Sequence, residues 1–311
     1  MAMLAYHASH EQFAPSHLVK MVIEAEKAGF EAIHSSDHFH PWSKNQGHSG
    51  FSFSWLGAAM QATTLPFSVI CAPGQRYHPA IVAQAAATLS EMFPGRFTLE
   101  LGSGEALNEL ITGKSWPAKR IRNDRLLECA TIIRRLLNGE QVTYHGHVDI
   151  KEAKLYTLPE KQPALFCAAI SEQTSDWAHS WADGLITTGG DKESTQKKIS
   201  AFRKGSDKQI FIQVSFCFAN DREEAIDEAY HQWRSNLLPS EKLSDLGSTE
   251  QFDDAAKDIS RDEVAEKVKI ITSVPELMDW IAPYQELKVD RVILHNIHRK
   301  QEGFIEAFRR K

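Results

Sequence analysis

The sequence lacks the features that would place the chain in a membrane or hold it together with disulfides. No apolar run is long enough to span a bilayer, and the start, MAMLAYHASHEQF, has no basic region followed by a hydrophobic stretch. The four cysteines, Cys71, Cys129, Cys167 and Cys217, lie far apart without metal-ligand spacing, mostly within apolar runs. We therefore expect a cytoplasmic protein with buried free thiols.

An excess of positive charge is also absent. The 35 lysines and arginines are outnumbered by 41 acidic residues, which gives a formal net charge of −6. This balance argues against nucleic acid or an anionic membrane as a partner and leaves a small-molecule substrate. The length of 311 residues and the 42% hydrophobic share suffice for one folded unit with a large core.

Short strand-like runs alternate with amphipathic helical stretches. The strand-like runs are Met3–His7, Phe30–His34, Phe67–Cys71, Arg96–Leu101, Ala164–Ala168, Leu185–Thr188, Ile210–Phe218 and Val292–His295. The helices that follow them are Pro15–Ala28, Ser54–Thr63, His78–Met92, Ile121–Leu137, Thr174–Trp181, Ser194–Arg203, Arg222–Leu237 and Phe304–Arg310. These eight pairs predict a single (β/α)8 TIM barrel, with an open doubly wound sheet as the alternative.

Two segments interrupt the alternation and are predicted insertions. Residues 141–158 alternate like a hairpin, and residues 239–261 are acidic, polar and weakly patterned, as in a surface excursion or lid. In a (β/α)8 barrel the chemistry lies on the loops that follow the strands. The candidate loops therefore follow Ile33, Ile70, Leu101, Ala168, Ile186, Phe218 and Leu294.

The loop after the second strand reads SDHFHPW and concentrates reactive side chains. Asp37 can fix a histidine tautomer or hold a ligand edge, His38 can move protons near neutrality, and Trp42 can wall a pocket. A solvated polar loop is the alternative. The His-x-His spacing is also typical of metallohydrolase barrels, but the matching later positions, Ala168-Ala169, Thr187-Thr188 and His295-Asn296, do not complete a metal set. We therefore expect no metal.

Two further loops carry candidate ligand-binding groups. After the fourth strand comes GSGEALNE, in which Gly104 allows close backbone approach and Glu105 faces an apolar mouth that would raise its pKa. Glu105 is then a candidate proton donor, or alternatively a helix-capping acid. After the fifth strand, Ser171 and Thr174 are either an ordinary helix cap and its neighbour or a phosphate site.

Three motifs in fixed order resemble the luciferase-like flavin/deazaflavin oxidoreductases. They are SDHFHPW, APGQRYHPAIVAQAAATLSEMFPGRF and LGSGEALNE, and they look like the branch of F420-dependent glucose-6-phosphate dehydrogenases. The likeness runs through residues 1–140 and returns more weakly in WADGLITTGG and near the carboxyl end. It implies that Asp37 and His38 flank a cofactor ring, with His38 as base, Glu105 as proton donor and Trp42 beside the reacting carbon.

The resemblance also assigns cofactor contacts. It implies a non-proline cis peptide between Val69 and Ile70 behind the ring, and cofactor contacts from Gly104 and Asn108. Ser171 and Thr174 look like the serine and threonine that bind the FMN phosphate in the flavin-using branch, where the F420 branch has a Gly-Gly pair. This departure makes FMN the preferred cofactor, with coenzyme F420 as the alternative, and leaves open both oxygenation and hydride transfer.

The positions that hold the sugar phosphate in the glucose-6-phosphate dehydrogenases align with Asp191, Glu266 and Gly303. None is cationic, so we expect a substrate other than glucose 6-phosphate. The chain most resembles a non-F420 flavin-using subgroup whose substrate is undefined.

Two functions of other classes remain open. One is a hydrolase barrel that uses Asp37 and Glu105 as paired carboxylates, and the other is a non-enzymatic flavin-binding protein. The family also implies a homodimer, for which Trp55, Leu56 and the pair Ala58-Ala59 are a candidate face. An ordinary core face explains these four residues equally well.

Overall fold

Eight parallel strands close into a barrel in this computed structural model, which describes residues 2–309. The strands are β1 (Met3–Ala8), β2 (Ala32–Ser36), β3 (Phe67–Cys71), β4 (Phe97–Leu101), β5 (Val142–Tyr144), β6 (Ile150–Ala153), β7 (Ala164–Ala168), β8 (Gly184–Thr188), β9 (Gln209–Phe218), β10 (Lys269–Ile271) and β11 (Arg291–Asn296). The barrel order is β1-β2-β3-β4-β7-β8-β9-β11, and β11 pairs with β1 to close it.

Helices cover the outside of the barrel and part of the carboxyl ends of its strands. They are α1 (Pro15–Lys27), α2 (Ser52–Ala62), α3 (Pro79–Met92), α4 (Ala106–Glu109), α5 (Lys119–Leu137), α6 (Glu172–Ala178), α7 (Lys192–Arg203), α8 (Arg222–Trp233), α9 (Ser240–Asp245), α10 (Thr249–Ala255), α11 (Arg261–Lys267), α12 (Val274–Glu286) and α13 (Gln301–Arg309). The first helix shows why these segments are helical and pack on the barrel. Pro15 starts it, and its buried residues recur at helical spacing on one face: Leu18, Met21, Val22 and Ala25.

The structure confirms the predicted closed barrel and excludes the open sheet. Residues 141–158 contain the expected antiparallel hairpin of β5 and β6. The second strand begins at Ala32 rather than Phe30, because the Phe30 amide still bonds to Ala25 at the end of α1 and its ring stacks on Phe308. Arg310, the last residue of the predicted final helix, lies outside the described residues.

Residues 239–261 are more ordered than the sequence indicates. They contain α9 and α10, and they end at the first residue of α11. Serine caps stabilise α10 and α11: Ser248 accepts from the Gln251 amide and Ser260 from the Glu263 amide. Strand β10 and helix α12 were not predicted. β10 has only three residues, and it pairs in parallel with the last three residues of β9.

The face of α2 considered for a dimer is part of the chain's own core. Trp55, Leu56 and Ala59 are buried among the barrel-covering helices, and only Ala58 of the four is exposed. The ordinary-core alternative therefore explains this face. Within residues 2–309 no helix combines the length and the apolar character that a membrane span requires.

A close contact inside the barrel generates a stability prediction. Gly184 on β8 pairs with Phe166 on β7, and a Cβ at Gly184 would overlap the buried Phe166 ring. Gly184→Ala should therefore lower the free energy of unfolding by about 1 to 3 kcal/mol, measured by urea denaturation.

The control for this prediction is Gly57→Ala on α2, where a Cβ meets nothing within 4 Å. That substitution should be neutral or stabilising, because alanine favours helix more than glycine does. A second substitution, Phe166→Leu, should recover part of the loss in the Gly184→Ala background. Equal effects of the two glycine substitutions would contradict the overlap.

Candidate active site

A cavity of about 860 Å³ opens at the carboxyl ends of the barrel strands. Its inner wall is made of small or apolar residues after β3, β4 and β7, and its outer wall comes from the start of α5 and from α9. The lining includes Trp42, Ile70, Gly102, Gly104, Glu105, Trp116, Arg122, Ala168, Ala169, Thr174, Leu243 and Asp245. The predicted insertion thus supplies part of the roof of the cavity.

His38 is bonded on one side to a buried acid and faces a second acid on the other. Its Nδ1 bonds to the Glu11 carboxylate, and its Nε2 lies 3.7 Å from Oε2 of Glu105. Burial lowers the pKa of His38, but the charge and hydrogen bond of Glu11 and the charge of Glu105 outweigh it, so the pKa is raised overall. This histidine is therefore held as a base whose protonated form is stabilised.

Glu11 is the functional residue that sequence reasoning missed. Its oxygens also accept hydrogen bonds from Ser9 (2.8 Å) and Ser36 (2.9 Å). Burial raises the pKa of Glu11, but the charge and hydrogen bond of His38, a backbone hydrogen bond and the charge of His10 together outweigh it, and the net pKa lies well below its usual range. The signal was present in the run Ser9-His10-Glu11-Gln12, which directly follows the first strand, a loop that was not among the candidates.

Glu105 stands at the cavity mouth as the sequence indicated. Burial raises its pKa, and the nearby carboxylates Glu109 and Glu11 raise it further against the opposing charge of His38. The side chain remains 35% exposed, so solvent and ligands can reach it. A carboxylic acid with a raised pKa that faces His38 is suited to hold or deliver a proton.

Asn108 organises the loop that carries His38. Its Oδ1 accepts hydrogen bonds from the backbone amides of Phe39 (2.8 Å) and His40 (3.2 Å), and its Nδ2 lies 3.5 Å from Glu105. The residue is buried. In this arrangement Asn108 positions two active-site loops, and its predicted contact with a cofactor stays a prediction.

Asp37 is buried beside the cavity rather than in its lining. Its Oδ2 forms an ion pair with Arg76 at 2.9 Å, and its Oδ1 accepts from the Ser52 amide at 3.3 Å. Its carboxylate is fully buried. In this geometry it holds Arg76 behind the site, and its role at the edge of a cofactor ring stays a prediction.

The prediction of a cis peptide between Val69 and Ile70 is wrong, because no cis peptide occurs in residues 2–309. Both residues lie in regular strand β3 and keep unbroken register with Ser35 and Ser36 on one side and with β4 on the other. A trans peptide fits this ladder without the cost of a cis bond. Ile70 lines the cavity, whereas Val69 packs into the core beneath the helices.

Ser171 caps helix α6. Its Oγ accepts from the Thr174 amide at 3.2 Å and lies 2.9 Å from the Thr174 hydroxyl. Thr174 lines the main cavity, while Ser171 lines an adjoining crevice together with Lys197 and Lys198. The capping interpretation is therefore confirmed, and the same two hydroxyls remain available to an anion at this helix start.

The cavity suits a flat aromatic cofactor. At Gly104, with φ of 83°, an added Cβ would lie 3.1 Å from Glu109 and 3.3 Å from both Ala72 and Trp116, so only glycine leaves this wall free. Gly102, Ala168 and Ala169 line the same floor, and their small side chains leave space above it. Among the described residues no group of three or more histidines, cysteines or acids is arranged to hold a metal ion.

A family comparison agrees with this geometry. Residues 2–291 match the family described as luciferase-like monooxygenases. The chain belongs to this family. It is therefore a luciferase-like oxidoreductase, and the resemblance drawn from the three motifs is confirmed.

Two proteins with similar sequences are named F420-dependent glucose-6-phosphate dehydrogenases. An F420-dependent glucose-6-phosphate dehydrogenase from Mycolicibacterium gilvum (strain PYR-GCK) is 32% identical, and the match covers 99% of this chain and 96% of that protein. One from Microbacterium testaceum (strain StLB037) is also 32% identical, with 97% and 94% covered.

Solved structures support the same fold. An F420-dependent secondary alcohol dehydrogenase in complex with an F420-acetone adduct is 28% identical, has a TM-score of 0.90, and aligns over 100% of this chain and 98% of its own. A riboflavin lyase with modified FMN has a TM-score of 0.76 over 99% of this chain and 90% of its own. At 14% identity that likeness shows the fold alone.

The bond between Glu11 and His38 generates a pH prediction. In Glu11→Gln the histidine loses its anionic partner, so its pKa should fall. Since a base must be deprotonated to act, the rise of kcat/KM with pH should then occur at lower pH than in the wild type.

The measurements are a pH–rate profile and an NMR titration of the His38 imidazole. Glu302→Gln on α13, an exposed acid outside the cavity lining, removes the same charge and should leave both curves unchanged. A His38 titration that does not move in Glu11→Gln would contradict the assigned coupling.

Proposed function

We propose that this luciferase-like oxidoreductase is an F420-dependent dehydrogenase or reductase of a small alcohol or carbonyl compound. The observation that carries the proposal is the position of His38 beside Glu105, which lines a cavity whose floor has small side chains. Buried Glu11 holds His38 in this position. Alcohol oxidation requires removal of one proton and one hydride, and this pair of residues is arranged for the proton.

The residues divide the proton chemistry between them. His38 accepts the proton of a substrate hydroxyl at its Nε2, since its Nδ1 is already bonded to Glu11. Glu11 stabilises the positive charge that forms. Glu105, whose pKa is raised, lies on the side of His38 opposite Glu11 and supplies or stores a proton there. Trp42, edge-on to His38 at 5.3 Å between ring centres, walls the substrate space. When bound, F420 supplies the hydride chemistry at its ring.

The comparisons favour F420 over the FMN preference drawn from the sequence. Both the similar relatives and the 28% identical structure carry F420 in their names. FMN stays the second candidate because of Ser171 and Thr174, whose hydroxyls stand where a phosphate monoester would need donors. With FMN the same cavity would also be compatible with oxygen chemistry.

Glucose 6-phosphate is not the proposed substrate, although the relatives are named for it. Asp191 is the cap of α7 and accepts from the Ser194 amide at 2.9 Å, and Glu266 is an exposed acid. Gly303 has no side chain. These positions present no cation to a phosphate dianion.

The cofactor prediction is tested by titrating the purified protein with F420 and, separately, with FMN. F420 fluorescence should be quenched at low micromolar concentration, as about −8 kcal/mol of binding free energy implies. FMN should bind at least about tenfold more weakly. Tight FMN binding without F420 binding would reverse the assignment.

The catalytic roles are tested with His38→Asn and Glu105→Gln. Each should lower kcat by about 100- to 10,000-fold, the usual contribution of a positioned acid or base, while leaving F420 affinity nearly unchanged. His48→Asn, an exposed histidine of the same loop, is the matched control and should keep full activity. Wild-type activity in both active-site variants would contradict the assigned roles, and cofactor binding without any turnover in the wild type would favour a binding protein instead.

A further inference from the structure

One wall of the active-site cavity carries a buried arginine. Arg122 lies in the first turn of α5, and its side chain is only 8% exposed. It lines the same cavity as Trp42 and Glu105, and the charge of Glu105 acts on it. A charged group this deeply buried needs partners that replace the water it has lost.

The partners of Arg122 are mostly neutral. Its Nη2 donates to the Ser244 hydroxyl at 2.8 Å, its Nη1 donates to the Pro117 carbonyl at 3.1 Å, and its guanidinium lies 4.5 Å above the Trp116 ring. Its carboxylate partner is Asp245, 3.6 Å away and 64% exposed. An ion pair that long, with one partner in solvent, compensates the buried charge weakly.

The guanidinium also has an unused donor. Its Nε is buried and has no hydrogen-bond partner. A buried donor without an acceptor adds to the cost of holding this charge away from water. An anionic group beside the guanidinium would neutralise the charge, which a neutral group does not do.

The surroundings supply a second cation and a displaceable acid. Lys119, one turn before Arg122 on α5, lines the same wall, and no carboxylate in the described part of the chain pairs with it. Glu241 and Asp245 of helix α9 line the same cavity as these two cations. Asp245 also accepts from Nε1 of Trp116 at 3.3 Å, which holds it over the guanidinium.

We propose that Arg122 and Lys119 form a subsite for a carboxylate or phosphate group of a bound ligand, and that Asp245 is the internal counter-ion that this group displaces. The anion belongs either to the substrate or to the acidic side chain of F420, and this choice of ligands rests on the proposed function. In either case the exposed Asp245 side chain turns away from the guanidinium as the ligand enters.

The first test uses inorganic phosphate alone as the probe. Phosphate should raise the thermal midpoint of the wild type above that in sodium chloride of equal ionic strength, because a ligand that binds the native state stabilises it. Arg122→Gln should lose this shift. Asp245→Asn should bind phosphate more tightly, by about fivefold, because the competing counter-ion is gone.

The controls keep the test independent of folding defects. Arg120→Gln removes the same charge from the same helix at a position that is 84% exposed, and it should retain the phosphate shift. Arg122→Lys keeps the charge and should retain part of it. No phosphate shift in the wild type, or equal shifts in Arg122→Gln and Arg120→Gln, would overturn the subsite.

The source of the anion is found by titrating wild type and Arg122→Gln with F420 and with its chromophore lacking the phosphate and glutamate tail. Weaker binding of F420 alone in the variant assigns the anion to the cofactor. Unchanged binding of both assigns it to the substrate. Failure of the wild type to bind F420 would instead count against the proposed function, while the phosphate result would still decide the subsite.

Discussion

The active site depends on one buried carboxylate, that of Glu11 beneath His38. Two serine hydroxyls and the imidazole satisfy it, so it stays ionised although it is buried. Its charge raises the pKa of His38 and fixes which ring nitrogen faces Glu105. That orientation places Nε2 3.7 Å from Oε2 of Glu105, so the imidazole lies between two carboxylates.

Much of the remaining polarity near the site serves to hold this geometry. Asn108 ties the His38 loop to the loop of Glu105, and Asp37 anchors Arg76 behind them. Deeper in the barrel, His34 bonds to Glu100 at 2.9 Å and to His7 at 2.8 Å. Such buried polar groups are tolerated because they are paired, and they keep the loops above them in one arrangement.

The roof of the cavity has a different character from its floor. The floor lies at the ends of barrel strands and is lined by small residues, whereas the roof includes the short helix α9, whose Leu243 packs against a small cluster of Leu107, Leu238 and Phe252. A small apolar contact of this kind can open at lower free energy than the barrel core. The cavity thus has a floor built on the barrel and a cover that rests on a small apolar cluster.

The sequence by itself determined the barrel, the hairpin, the cavity-facing positions of Glu105 and Trp42, and the family, because periodicity and long ordered motifs are local properties of the chain. Tertiary structure decided the rest. The partnership of Glu11 with His38, and of Arg122 with Asp245, joins residues from different loops or helices, which no local pattern records. The burial of Asp37 and the core role of Trp55 likewise depend on which elements pack against them, and the trans peptide at Val69–Ile70 follows from pairing with both neighbouring strands.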